Sequence, residues 1–108
     1  MKKRNLFDGP PPNPGCEHFE ALLQGAGFRL ERIVSRNHAT PAGEWYEQEN
    51  AEWVVLLKGS AGLAVAGEAE TLVLTPGDYV YLPARLRHRV EWTHAEGETV
   101  WLALHCEA

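Results

Sequence analysis

Two side chains with acid–base or metal-binding chemistry, Glu52 and His88, occupy positions where each can face the interior of a β protein. Glu52 is in phase with Val54 and Leu56 in an alternating stretch, so its carboxyl is expected to point inward. An inward carboxyl needs a metal, a cation or a hydrogen-bond network as its partner. His88 is in phase with Val90, which leaves it either as a ligand or as a core histidine bonded to a backbone carbonyl.

Two partners for the Glu52 carboxyl stay open at this stage. The first is a metal ion. The second is a bidentate ion pair with one of three nearby arginines, Arg85, Arg87 or Arg89. Such an ion pair would engage the carboxylate and leave no metal site.

The elements that would position these residues are short strands separated by turns. The sequence predicts strands at about 28–33, 45–48, 52–57, 61–66, 71–75, 79–82, 88–93 and 99–105. The intervening breaks carry glycine or proline, and spacings of roughly eight to twelve residues are typical of a sandwich or barrel. No segment of helix length separates these strands, which excludes a parallel βαβ arrangement.

The N-terminal part has a different character. Residues 1–15 include a proline cluster, which forms neither helix nor ladder, and they are predicted to be a flexible leader. Apolar residues at Phe19, Leu22 and Leu23, followed by glycine stops, predict a short helix over about 16–24. One domain is expected over residues 16–108, with its barrel at about 28–105, because 108 residues are too few for two cores.

Composition excludes several classes of function. Fifteen acidic residues against ten basic ones give a formal charge of −5, which argues against nucleic-acid binding. No apolar run approaches the length needed to cross a bilayer, so no membrane association is expected. The basic start lacks the apolar stretch of a secretory signal, which predicts a cytoplasmic protein. The two cysteines, Cys16 and Cys106, match no zinc motif and are expected to be free thiols.

The stretch from Gly77 to His88 resembles the second signature motif of the cupin family. That motif has a glycine, five residues, a proline, one residue, a second glycine, two residues and a histidine. Gly77, Pro83 and His88 match the spacing, whereas Arg85 stands where the second glycine belongs. Upstream, Glu52 and Gly59 are separated by the six residues that end the first cupin motif.

The first motif departs from the family pattern at two metal-ligand positions. Tyr46 and Gln48 stand where the resemblance implies histidines, while Glu52 and His88 remain. The resemblance implies an all-β fold, the cupin barrel (a double-stranded β-helix or jelly roll), here with the short N-terminal helix. It also implies one divalent transition metal, Fe, Mn, Ni or Zn, held by Glu52, His88, Gln48 and Tyr46. A hydrogen-bonded pocket wall without metal is the alternative for Tyr46 and Gln48.

Three functions follow as hypotheses from this resemblance. The first is a metal-dependent enzyme of oxygenase, isomerase or lyase type acting on a small metabolite, with Arg85, Trp92 and Trp45 at the pocket. The second is a non-catalytic barrel that binds or senses a small molecule after losing its metal site. The third is a structural homodimer, in which the strand at 28–36 would pair with its copy and so protect an exposed edge.

Overall fold

The computed structural model describes residues 1–107, which form eight β-strands in two antiparallel sheets. The strands are β1 (Glu17–Gly25), β2 (Phe28–Arg36), β3 (Ala51–Lys58), β4 (Ala61–Val65), β5 (Leu72–Leu74), β6 (Tyr79–Leu82), β7 (His88–Thr93) and β8 (Glu98–Cys106). The larger sheet has the order β1-β2-β8-β3-β6 and the smaller one β5-β4-β7. This is the jelly-roll architecture that the sequence predicts.

The core lies between the two sheets and follows from the alternation of side chains along the strands. In β3, Val54 and Leu56 are buried while the intervening residues are half-exposed. They pack with Leu63 of β4 and with Leu82 and Trp101 of the strands that flank β3. Because Glu52 shares the face of Val54 and Leu56, the strand carries its carboxyl into the interior, as the parity predicts.

The predicted helix over 16–24 is wrong, because this segment is strand β1. It pairs antiparallel with β2, and the register shifts between Ala21 and Leu23. A β-bulge at this point inserts one extra residue and interrupts the twofold alternation of side chains. The spacing of the apolar residues Phe19, Leu22 and Leu23 is therefore similar to that of a helix, although the segment is a strand. The barrel begins with this strand, before residue 28.

Two further expectations are corrected by the pairing of the strands. The predicted strand at 45–48 is reduced to an isolated bridge between Tyr46 and His88. Strand β2 is hydrogen-bonded to β1 on one side and to β8 on the other. It has no free edge for pairing with a second copy, so the proposed role of residues 28–36 in a dimer is wrong.

The N-terminal segment 1–16 forms no strand or helix and runs along the larger sheet. The Gly15 amide donates to the carbonyl of Arg36 over 2.7 Å, and Arg36 returns a bond to Cys16. Nearer the start, the Arg32 side chain donates to the carbonyl of Leu6. Both cysteines are free thiols, and residues 1–107 contain no helix of the length and apolar character that would span a membrane.

Candidate functional site

A cavity of about 260 Å³ opens at one end of the space between the sheets. Four of its lining residues are the predicted ones, Tyr46, Gln48, Glu52 and His88. The others come from β1, β2, β7 and β8, and they are Glu17, Phe19, Arg29, Glu31, Val90 and His105. The topology thus gathers residues from almost the whole chain around one small space.

His88 is positioned by the turn that precedes β7 and by its bridge to Tyr46. The two residues exchange backbone hydrogen bonds of 2.7 and 3.0 Å. The His88 ring lies 3.0 Å, measured from Nδ1, from the carbonyl of Leu86. A carbonyl can only accept, so Nδ1 carries the hydrogen, and in the neutral ring Nε2 is left with a free lone pair.

A second imidazole, His105, lies directly across from Glu52 in the pairing of β8 with β3. It is buried, and its Nε2 lies 3.0 Å from Oε1 of Glu31, which is also buried. Arg29 contributes a further contact, 3.5 Å from its Nε to the other oxygen of Glu31. Glu31 is therefore held between a cation and an imidazole, and this fixes the orientation of the His105 ring.

Glu52 is 8% exposed and takes part in no ion pair among residues 1–107. Burial raises the pKa of its carboxyl above the ordinary value, and the charges of His105 and His88 partly offset that rise. The ion pair with Arg85, Arg87 or Arg89, one of the two alternatives left open by the sequence, is not formed in the described chain. The charged groups around the carboxyl are the two imidazoles together with Glu31 and Arg29.

Tyr46 and Gln48 lie at the rim of this group. Tyr46 is 41% exposed, and its ring centre lies 5.9 Å from that of His88. Burial, followed by the charge of Glu17, raises the pKa of the phenol above its ordinary value. The phenol therefore stays protonated near neutral pH and serves as a hydrogen-bonding group at the mouth.

The three other predicted pocket residues, Arg85, Trp45 and Trp92, are not among those that line this cavity. Arg85 is exposed, and its backbone has a φ of 66°, the left-handed conformation that the motif glycine would supply. Trp45 lies under the guanidinium of Arg87, 5.5 Å from ring centre to carbon. Trp92 lies over Gly62 on the neighbouring strand.

Sequence reasoning missed Glu31 and His105. His105 is the last residue of the strand predicted at 99–105, and it is in phase with the buried residues Trp101 and Ala103 of β8. That parity was the available signal. Glu31 became recognisable only through its contact with His105, which joins residues 74 positions apart.

The side chains around the cavity can be compared with the ligands that the predicted metal would need. Within residues 1–107, no three side chains of His, Cys, Asp or Glu are grouped so that they could hold a metal ion. The Nε2 atom of His105 is in contact with Glu31, and the side-chain oxygens of Tyr46 and Gln48 are weak ligands for these metals. The described donors do not fit a preformed metal centre, and the metal stays a prediction.

The fold and this site together define a small jelly-roll barrel with an acid- and imidazole-lined pocket. A family model for the cupin domain matches residues 36–105, which is more than half of the chain. The chain belongs to the cupin family. A comparison with the curated proteins gives no match.

Among solved structures, one from Ralstonia eutropha JMP134 is similar over 100% of both chains. It has a TM-score of 0.95 and 44% sequence identity, and it is described provisionally as a mannose-6-phosphate isomerase. The polyketide cyclase RemF from Streptomyces resistomycificus matches 98% of this chain and 79% of its own, with 22% identity and a TM-score of 0.73. A protein from Thermus thermophilus matches 99% and 98%, with 17% identity and a TM-score of 0.78. The last two likenesses concern the fold alone.

Proposed function

We propose that this cupin is an enzyme of the isomerase type, which moves protons on a small, unphosphorylated hydroxy-carbonyl metabolite. The observation that carries the proposal is the burial of a carboxyl, Glu52, beside two imidazoles in one cavity. Acid–base catalysis needs a group that keeps a proton and a second group that takes one, both within reach of the substrate.

The local contacts suggest a role for each group. His88 has its Nδ1 hydrogen fixed on the Leu86 carbonyl, so its Nε2 can accept a proton from the carbon beside a carbonyl. Glu52 keeps its proton more readily than an ordinary carboxyl and can donate it to the carbonyl oxygen. His88 then returns its proton to the former carbonyl carbon, and the hydroxyl on the neighbouring carbon gives its proton to the Glu52 carboxylate as the new carbonyl forms. Both side chains regain their starting protonation states, so the isomerisation involves no net change in atoms or charge.

The charge of the lining favours uncharged substrates. Three carboxyl side chains, those of Glu17, Glu31 and Glu52, line the cavity, and its one arginine, Arg29, is paired with Glu31. A phosphate group would meet these carboxylates without a free guanidinium to bind it. The Ralstonia protein supports the reaction type through its provisional description, whereas the lining argues for an unphosphorylated substrate here.

Solvent deuterium exchange tests the proposal directly. The protein is incubated in D₂O with simple aldoses and ketoses, phosphorylated and not, and deuterium at the carbon beside the carbonyl is followed by NMR. We expect exchange into unphosphorylated sugars of small size. His88→Gln should lower the rate by about 100-fold or more, which is the usual contribution of a general base.

His18→Gln is the matched control, because His18 is an exposed histidine of β1 that does not line the cavity. Saturable sugar binding without any exchange would overturn the proposal and favour the non-catalytic binding protein. Exchange that vanishes on chelation and returns with Fe, Mn, Ni or Zn would replace it with the metal-dependent enzyme. Elemental analysis of untagged protein completes that comparison.

A further inference from the structure

A second cavity lies on the opposite face of the larger sheet, between the N-terminal segment and strands β1 and β2. Its volume is about 640 Å³. At its floor is Arg32, which follows Glu31 along β2 and therefore points to the outer face of the sheet. Arg32 is 4% exposed, and its Nε donates to the carbonyl of Leu6.

The charge of Arg32 has no carboxylate partner within residues 1–107. Glu20 is its direct neighbour in the strand pairing, but the Glu20 carboxylate lies 3.4 Å from the guanidinium of Arg4 instead. A guanidinium carries five N–H donors, and one of them is used on Leu6. A buried cation without a counter-ion is unfavourable, so an anion from outside would stabilise it.

Arg32 is one of the residues that line the cavity. In the described chain, Nε of Arg89 is the one fully buried side-chain nitrogen or oxygen without a hydrogen-bond partner, so the terminal nitrogens of Arg32 are not among the atoms that are sealed without one. The backbone at Gly9 passes close by, since a Cβ added there would lie 3.6 Å from Nη1. Lys3 and Arg4 line the same cavity, against the acids Asp8 and Glu20.

We propose that this outer cavity binds the anionic group of a small molecule, a phosphate or a carboxylate, on the guanidinium of Arg32. The planar guanidinium matches both groups in a two-point contact, and Lys3 adds a mobile positive charge. The bound anion takes the place of the missing counter-ion and fastens the N-terminal segment to β2. The site is separate from the acid–base cavity, because Arg32 and Glu31 face opposite sides of the sheet.

Titration of the full-length protein with inorganic phosphate, and separately with acetate, tests this proposal at constant ionic strength. Binding is followed by calorimetry and by the melting temperature. We expect saturable binding of at least one anion and its loss in Arg32→Gln. Lys3→Gln should weaken binding about two- to fivefold, as expected for one exposed charge, whereas Lys2→Gln should leave it unchanged. Lys2 is the matched control, because it does not line the cavity.

The acidic residues provide a test with the opposite sign. Glu20→Gln should strengthen anion binding, because it removes the negative charge beside Arg32. Glu68→Gln, at an exposed turn outside the cavity lining, should have no effect. The comparisons of Lys3→Gln with Lys2→Gln and of Glu20→Gln with Glu68→Gln test the anion site even if Arg32→Gln does not fold. Absence of saturable binding, or equal effects of Lys2→Gln and Lys3→Gln, would overturn the proposal. Binding of phosphate alone, or of acetate alone, would support it and identify which anion the site selects.

Discussion

The Glu52 carboxyl makes the stability of the protein depend on pH in a direction that its surroundings define. Burial raises its pKa in the folded chain, and His105, His88, Glu31 and Arg29 are the charged groups around it. Below the ordinary glutamate pKa both the folded and the unfolded chain hold the proton, so no penalty exists there. As the pH rises from that value toward the folded-state pKa, the unfolded chain releases its proton first and stability falls.

Glu52→Gln should therefore be more stable than the parent protein at neutral pH and nearly equal to it in acid. Urea unfolding at several pH values measures this difference. Glu96→Gln, at an exposed position, is the control and should follow the parent curve. A variant that is less stable at every pH would show that the Glu52 carboxylate is compensated by partners other than those described.

The backbone conformation of Arg85 is unfavourable, and a substitution at this position can stabilise the fold. Its φ of 66° is unfavourable for a side chain with a Cβ, by about 1–2 kcal/mol, and its side chain is exposed. Arg85→Gly should thus raise the free energy of unfolding by about 0.5–1 kcal/mol after the larger entropy of glycine in the unfolded chain is subtracted. Arg85→Ala keeps the Cβ and should give no such gain. Equal effects of the two substitutions in chemical denaturation would contradict this explanation.

The sequence located part of the site correctly and could not locate the rest. Glu52 and His88 were found because strand parity and motif spacing agree, and both line the cavity with Tyr46 and Gln48. Arg85 was assigned to the pocket because of its place in the motif. Only the conformation of the turn shows that Arg85 instead provides the backbone shape of a glycine while its side chain stays in solvent.

At the scale of the elements, the pairing of β4 with β7 depends on Gly62. A Cβ at this position would overlap the indole of Trp92, which lies across the strand. Gly62→Ala should lower the free energy of unfolding by about 1–3 kcal/mol, the range for overpacked sites. In a Trp92→Ala background the same substitution should be much milder. A thermodynamic cycle of these four proteins measures the coupling, and additive effects would contradict it.

The wrong prediction of a helix over 16–24 is explained by the features of strand β1. Most strands are recognisable in the sequence because their apolar and polar residues alternate regularly and a turn residue marks the end of each strand. Strand β1 carries a bulge at Leu22 and lies at the edge of its sheet, with many of its residues exposed. The local pattern was therefore ambiguous between helix and strand, and the long-range pairing with β2 decided the outcome.

At the scale of the whole molecule, β8 is the central strand of the larger sheet and β5 is a three-residue edge of the smaller one. Leu72 and Val73 of β5 are exposed, whereas β8 has no exposed residue along its length. Native-state hydrogen exchange should protect the amides of β8 and β3 most strongly and those of β5 least. Uniform protection of all eight strands would contradict this order. The homodimer remains a prediction that sedimentation measurements can test.

Alternation along β2 also constrains how this chain can evolve. Glu31 lines the inner cavity and Arg32 lines the outer one, so two neighbouring residues face opposite sides of the sheet. Deleting or inserting one residue within the strand would exchange those sides for every residue beyond it. Changes in length are therefore expected to accumulate in the turns that flank β2, while point substitutions remain free to alter each side of the sheet separately.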